Sequence, residues 1–148
     1  MLKKVLIAIG VVVAGFAIYY GHFLFTKKVV DESMPTELTE EVKRGVFNEI
    51  DFIHKGKGIA LLYNIPNGKK LLRFEDFEVT NGPDLYVYLS KTEDAKEDIE
   101  KGDFISLGRL KGTVGNQNYE IENLPEGYKT VVIWCKQFSV LFSFAVLQ

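Results

Sequence analysis

Leu72-Arg-Phe-Glu-Asp-Phe-Glu-Val-Thr-Asn-Gly-Pro-Asp-Leu-Tyr-Val-Tyr-Leu-Ser90 holds two β-strand patterns and the break between them. From Leu85 to Leu89 aliphatic residues alternate with Tyr86 and Tyr88, so an extended chain here turns an aliphatic face to a core and its rings to a partly wet surface. In the first half the apolar positions change parity between Phe74 and Phe77, and one extra residue near Glu75-Asp76, a β-bulge, accounts for the change. Asn81-Gly82-Pro83-Asp84 supplies a sharp loop between the two strands.

Working outward, the same β-branched and aromatic runs recur between Gly, Asn and Pro, near residues 45–53, 58–65, 70–79, 85–90, 104–110, 118–122, 130–135 and 138–147. Asn67-Gly68 between two such runs is a hairpin signal. About eight short strands predict an all-β fold, an antiparallel β-sandwich or flattened barrel, with Phe74 and Trp134 in its core. The charged segment 92–101 reads as a solvated loop or single helical turn, because it lacks the alternating ligands and central Gly of a calcium loop.

The other end of the chain is different in kind. Val5 through Thr26 is a run of 22 residues without a charge, and as a helix it would rise ~33 Å, enough to cross a hydrocarbon core. Gly15-Phe16-Ala17 satisfies the small-x-small rule of a signal peptidase site, but the apolar run continues through Ile18, Tyr19, Tyr20, Phe23, Leu24 and Phe25, beyond a normal signal-peptide core. An uncleaved transmembrane anchor over residues 1–28 is therefore expected, meeting the lipid bilayer through residues 5–26. The N-terminus is placed inside and the β domain outside the cell membrane, in a single pass. Residues 29–44 turn polar, and from Thr36 to Arg44 acids come first and bases last before Gly45, which predicts a linker carrying a short surface helix. The β domain then occupies residues 45–148.

Charge and composition narrow the function. Four of the 18 Lys and Arg (Lys3, Lys4, Lys27, Lys28) flank the apolar run and all 20 Asp and Glu lie from Asp31 onward, so the remainder carries a formal −6. An acidic domain with scattered lysines has no face to neutralise phosphates, and a nucleic-acid partner is not expected. With 2 His and 1 Cys, and His22 at the edge of the anchor, a hydrolytic triad would depend on His54, yet there is no Gly-x-Ser-x-Gly turn to carry its nucleophile. No zinc site closes from one Cys and one His without carboxylates or a second chain, and the glycine runs, Gly56-Lys57-Gly58 and Gly108 through Gly115, match no phosphate-cradling loop and read as turns. Nothing marks a conventional enzyme. Cys135, in Val131-Val-Ile-Trp-Cys135-Lys-Gln-Phe138, has no internal disulfide partner; by alternation it shares a face with Val131 and Ile133. It is either a small apolar residue of the core or a working thiol or ligand at a strand end.

The residues from about Gly45 to Leu147 resemble the DM13 domain family. The resemblance is carried by Phe52-Ile-His54-Lys-Gly56-Lys-Gly58, by the block from Leu72 to Ser90, by Gly115-Asn-Gln-Asn-Tyr-Glu-Ile121 and by Val131 to Val140. It implies an extracytoplasmic module behind an anchor, acting in electron transfer with a redox partner protein. It also implies a role for Cys135 as a free thiol or as ligand of a prosthetic group such as haem, and places His54 where the family commonly has a His, as second ligand or proton donor. With no Cys-x-x-Cys-His attachment, such a haem would be held without covalent linkage.

Two readings are then open: a membrane-tethered redox module centred on Cys135, or a non-catalytic ligand-binding or structural domain in which Cys135 is sealed in the core. The first requires Cys135 to be reachable or to face a cofactor-sized cavity.

Overall fold

The computed structural model describes residues 1–36 and 40–148. Helix α1 (Leu2–Phe25) precedes β1 (Glu40–Val46), β2 (Gly56–Asn64), β3 (Lys70–Val79), β4 (Leu85–Ser90), α2 (Ala95–Lys101), β5 (Phe104–Arg109), β6 (Gln117–Ile121), β7 (Thr130–Cys135) and β8 (Val140–Val146). The strands form two antiparallel four-stranded sheets, ordered β1-β2-β3-β6 and β5-β4-β7-β8. They pack face to face as a sandwich and do not close into a barrel among the described residues.

The bulge and the hairpin fall where the sequence puts them. Lys57 pairs with Glu78 and Ile59 with Glu75, so Gly58 stands opposite Asp76 and Phe77. Gly58 has φ +105°, and a Cβ there would sit 2.7 Å from the Asp76 carbonyl oxygen, so the bulge can close only over glycine. The extra residue turns both Phe74 and Phe77 inward, where they stack with Phe47 and each other at 4.8–4.9 Å between ring centres. The β2–β3 turn runs through Asn67 at φ 66°.

Three expectations need adjustment. The short helix expected before Gly45 is not formed over residues 40–44: these belong to β1, which pairs with β2 from Glu40↔Asn64 to Val46↔Ile59. Residues 37–39 of that expected helix lie outside the described residues. The acid-first, base-last order that suits a helix dipole equally suits a charged edge strand, and the free edge of β2 satisfies the backbone of residues 40–46 in a way no isolated short helix could. The strand expected over 45–53 accordingly ends at Val46. Asn48 makes a single bridge to Phe144, and the next residues form a turn in which the Ile50 N–H donates to the His54 carbonyl at 2.9 Å. Segment 92–101 gains more order than a loop, because α2 covers the outer face of the second sheet.

That cover explains why every residue of β7 is buried. Val131, Ile133 and Cys135 point between the sheets with Leu85, Val87 and Leu89. Val132 and Trp134 point outward with Tyr88 and meet Ala95 and Ile99 of α2. Asp98 pins the helix: one carboxylate oxygen accepts from Ser90 Oγ at 2.6 Å and from the N–H groups of Lys91 and Thr92 at 3.1 and 3.0 Å. The Ser90 hydrogen bond holds its carboxyl below the usual range against the opposing effect of burial.

α1 is exposed along residues 1–20 and stands clear of the sandwich. The chain just beyond it is tied down. Asn81 Nδ2 donates to the Thr26 carbonyl at 3.0 Å. The Thr113 N–H donates to Lys28 O at 2.8 Å, Val30 N–H to Val114 O at 2.9 Å, and Glu32 N–H to Asn116 O at 2.9 Å. Residues 26–32 therefore run as a strap along segment 112–116, across the boundary between the stretch read as anchor (1–28) and the one read as linker (29–44). Gly112 and Gly115 admit it: a Cβ would lie 2.6 Å from Lys28 O at the first and 2.0 Å from Val30 O at the second. Burial pushes the Glu32 carboxyl up, but the Lys111 ammonium at 2.9 Å and the Asn118 N–H at 2.6 Å outweigh it and hold the group below its ordinary value.

Candidate functional site

Cys135 ends β7, opposite Leu85 on one side and Val140 on the other. Its side chain is fully buried in the core between the sheets, in one apolar cluster with Ile133, Val87 and Phe142. Lys136, next in the chain, leaves on the opposite face, with its Nζ 5.4 Å above the Tyr86 ring. It supplies no cation to the thiol. The core is tightly packed at this end: a single methyl at Gly82 would come within 2.8 Å of Leu85 Cδ2 and 2.9 Å of Phe142 Cζ, and those side chains would have to shift.

His54 reaches the same end from the β1–β2 loop. Its ring packs edge-on against Phe142, 4.6 Å between centres. Asp51 organises the loop, one oxygen accepting from the N–H groups of Ile53 and His54 at 2.7 Å each and the other lying 2.8 Å from His54 Nδ1. The His54 side chain, then its N–H, lowers the Asp51 carboxyl to about 2. Phe142 thus stands between the core that holds Cys135 and the imidazole. No hydrogen bond joins the Cys135 thiol to His54 among the described residues, so the structure brings the two to one end of the fold without making them a thiol–imidazole pair.

A haem at Cys135 does not fit this packing. Its iron ligand would have to project from a filled apolar core in which the thiol has no solvent exposure. Clefts do exist nearby. One of about 450 Å³ is lined by Lys27, Lys55, Lys57, Glu78 and Asn81, among others, and one of about 380 Å³ by Lys28, Gly82, Leu85 and Arg109, among others. Neither Cys135 nor His54 lines them. Among the described residues no group of three or more His, Cys, Asp or Glu is placed to hold a metal ion.

Sequence reasoning missed the strap and its two glycines, which read only as turn residues in the run from Gly108 to Gly115. The paired signal was available in principle: an apolar Val29-Val30 straight after the lysines, where a free linker has no use for it.

These observations define a class: a two-sheet β-sandwich fixed by a short strap to an N-terminal helix that is long and apolar enough, over Leu2–His22, to span a membrane or to serve as a signal sequence. The family model described as "Electron transfer DM13" matches residues 49–147. The chain belongs to the DM13 family. No curated protein and no solved structure matches it.

Proposed function

We propose that the chain is a single-pass, membrane-anchored electron-transfer module, N-terminus inside and β-sandwich on the outer side, exchanging electrons with a redox partner protein. The observation that carries this reading is the match of an electron-transfer family over nearly the whole sandwich. The uncharged helix, with Lys3 and Lys4 before it, supports the anchor and its direction. Within the module Cys135 is the residue to which the family resemblance assigns the redox role.

A second reading has its own observation. The sealed position of Cys135 favours a structural thiol, with the domain serving as a binding or interaction module. The two are separated by Cys135→Ala and Cys135→Ser in the full chain, reconstituted in nanodiscs and titrated electrochemically with a soluble one-electron mediator. A redox role predicts that both variants fold and both lose electron exchange. A structural Cys predicts that Ala retains whatever exchange the wild type shows, with Ser the less stable because its hydroxyl is buried without a partner. An Ala variant with full exchange removes Cys135 from the mechanism.

A further inference from the structure

The end of the sandwich from which α1 departs is built from four loops. Gly56 pairs with Val79 at the start of β2, and the Thr80 N–H donates to Lys55 O at 2.9 Å, so the β1–β2 and β3–β4 loops lie side by side. Asn81 in the second of these bonds Thr26, the residue that caps α1. Cys135 pairs with Leu85, and the Lys136 N–H donates to Asp84 O at 2.9 Å, which brings the β7–β8 turn to the same end. The strap on 112–116 completes the group.

This end carries two features of a lipid-facing surface. Among residues 40–148 the exposed aromatic rings are Phe52, 84% accessible, and Phe138, 58%, and both sit here, with Ile53 half open beside Phe52. The remaining aromatic side chains of these strands and loops are buried or half-buried. The second feature is charge: Lys28, Lys55 and Lys136 lie around them, and of the carboxylates alongside Glu78 is paired with Lys27 and Lys57 and Asp84 with Arg109, while Asp51 lies 2.8 Å from His54 Nδ1 and Glu49 lies on the cleft wall. The position relative to the bilayer comes from covalent connection. α1 is 24 residues long, a rise of ~36 Å against a hydrocarbon thickness of ~30 Å with a headgroup layer of ~5–7 Å on each side. A spanning α1 therefore puts Thr26, and the loop bonded to it, at headgroup depth.

We propose that the sandwich does not hang freely from its anchor but docks on the bilayer surface, Phe52, Ile53 and Phe138 entering the headgroup layer and the lysines meeting anionic lipid. The docking rests on the reading of α1 as a membrane span. Exposed rings prefer the interface because their edges tolerate water while their faces leave it, and each basic side chain adds attraction to an anionic surface. The strap makes the orientation definite: a domain on a free linker would sample all directions, whereas one bonded at Thr26, Lys28, Val30 and Glu32 presents one end.

The test uses the full chain in vesicles of phosphatidylcholine with one part in three phosphatidylglycerol. Nitroxide is attached in turn to Phe52→Cys, Phe138→Cys and, at the far end, Glu122→Cys, with the wild type, whose Cys135 is buried, as labelling blank and Trp134 emission as the check of folding. The expected result is that labels at 52 and 138 collide more with oxygen than with a water-soluble nickel chelate, while the label at 122 shows the reverse. Labels at 52 and 138 as aqueous as that at 122, on a chain that resists carbonate extraction, overturn the docking and leave the anchor standing. A chain that carbonate strips from the vesicles overturns the anchor, and the docking with it.

Discussion

Gly115→Ala tests whether the strap is part of the folded domain. The added Cβ would stand 2.0 Å from Val30 O, so the strap has to retreat by about 1 Å before the contact clears 3.0 Å. The bonds carried by that stretch are the Val30 N–H to Val114 O at 2.9 Å and the Thr113 and Val114 N–H groups to Lys28 O at 2.8 and 3.2 Å. Losing two or three of them costs ~1–4 kcal/mol, and holding alanine at φ +105° adds ~1–3 kcal/mol. Together these destabilise the domain by about 2–7 kcal/mol. Gly68→Ala is the reference, since φ there is +75° with nothing within 4 Å of the new methyl; it carries only the left-handed penalty of ~1–2 kcal/mol. Urea unfolding of the full chain in nonionic detergent, followed by Trp134 emission, gives both values. If the two variants lose the same stability to within ~0.5 kcal/mol, near the usual error of additivity, the strap is not seated on Gly115 and the reasoning fails.

Two further outcomes concern the core and the β1–β2 loop. Phe74→Ala, which empties a site with no solvent exposure between Phe47, Phe77 and Tyr119, should lose ~3–5 kcal/mol in the same assay, and a loss below ~1 kcal/mol would contradict the packing. The Asp51 carboxyl, lowered to about 2 from an ordinary 3.8, binds its proton more weakly folded than unfolded. Its contribution to the loop is present above the ordinary value and lost as pH falls through about 2, so an NMR titration of the Asp51 carboxyl carbon should show a midpoint well below 3.8, moving up in His54→Ala.

The strands were legible because their residues encode both faces. Residues 70–79, 85–90 and 130–135 coincide with β3, β4 and β7, and the parity change at Phe74 and Phe77 marks a real bulge. β1 was not legible, since Glu40 to Arg44 contains one apolar residue and its strand state is decided by the open edge of β2, a long-range partner that no local pattern records. The boundary of β8 shifted for a local reason: Ser139 takes φ +53° to close the turn, so Phe138, though apolar, is a turn residue left in solvent. For the site, alternation correctly put Cys135 on the face of Val131 and Ile133, but it could not say that the loop carrying His54 would stop at Phe142.

Cys135 sits where its two readings make opposite demands on one strand end. A core thiol needs the packing of Leu85 and Phe142 to persist, because any opening wets an apolar interior. A redox thiol needs the opposite, an opening through which a partner or cofactor reaches the sulfur at the end of β7, and that approach is shaped by what flanks it. The flanking turn bears Phe138 and Lys136, and the neighbouring loop bears Phe52 and Lys55. With the domain docked as proposed, this end faces headgroups rather than bulk solvent, so in the redox reading a partner would have to approach Cys135 from the membrane side. On the proposed reading, the anchor, the strap and the exposed rings together would hold the strand end that carries the thiol at headgroup depth.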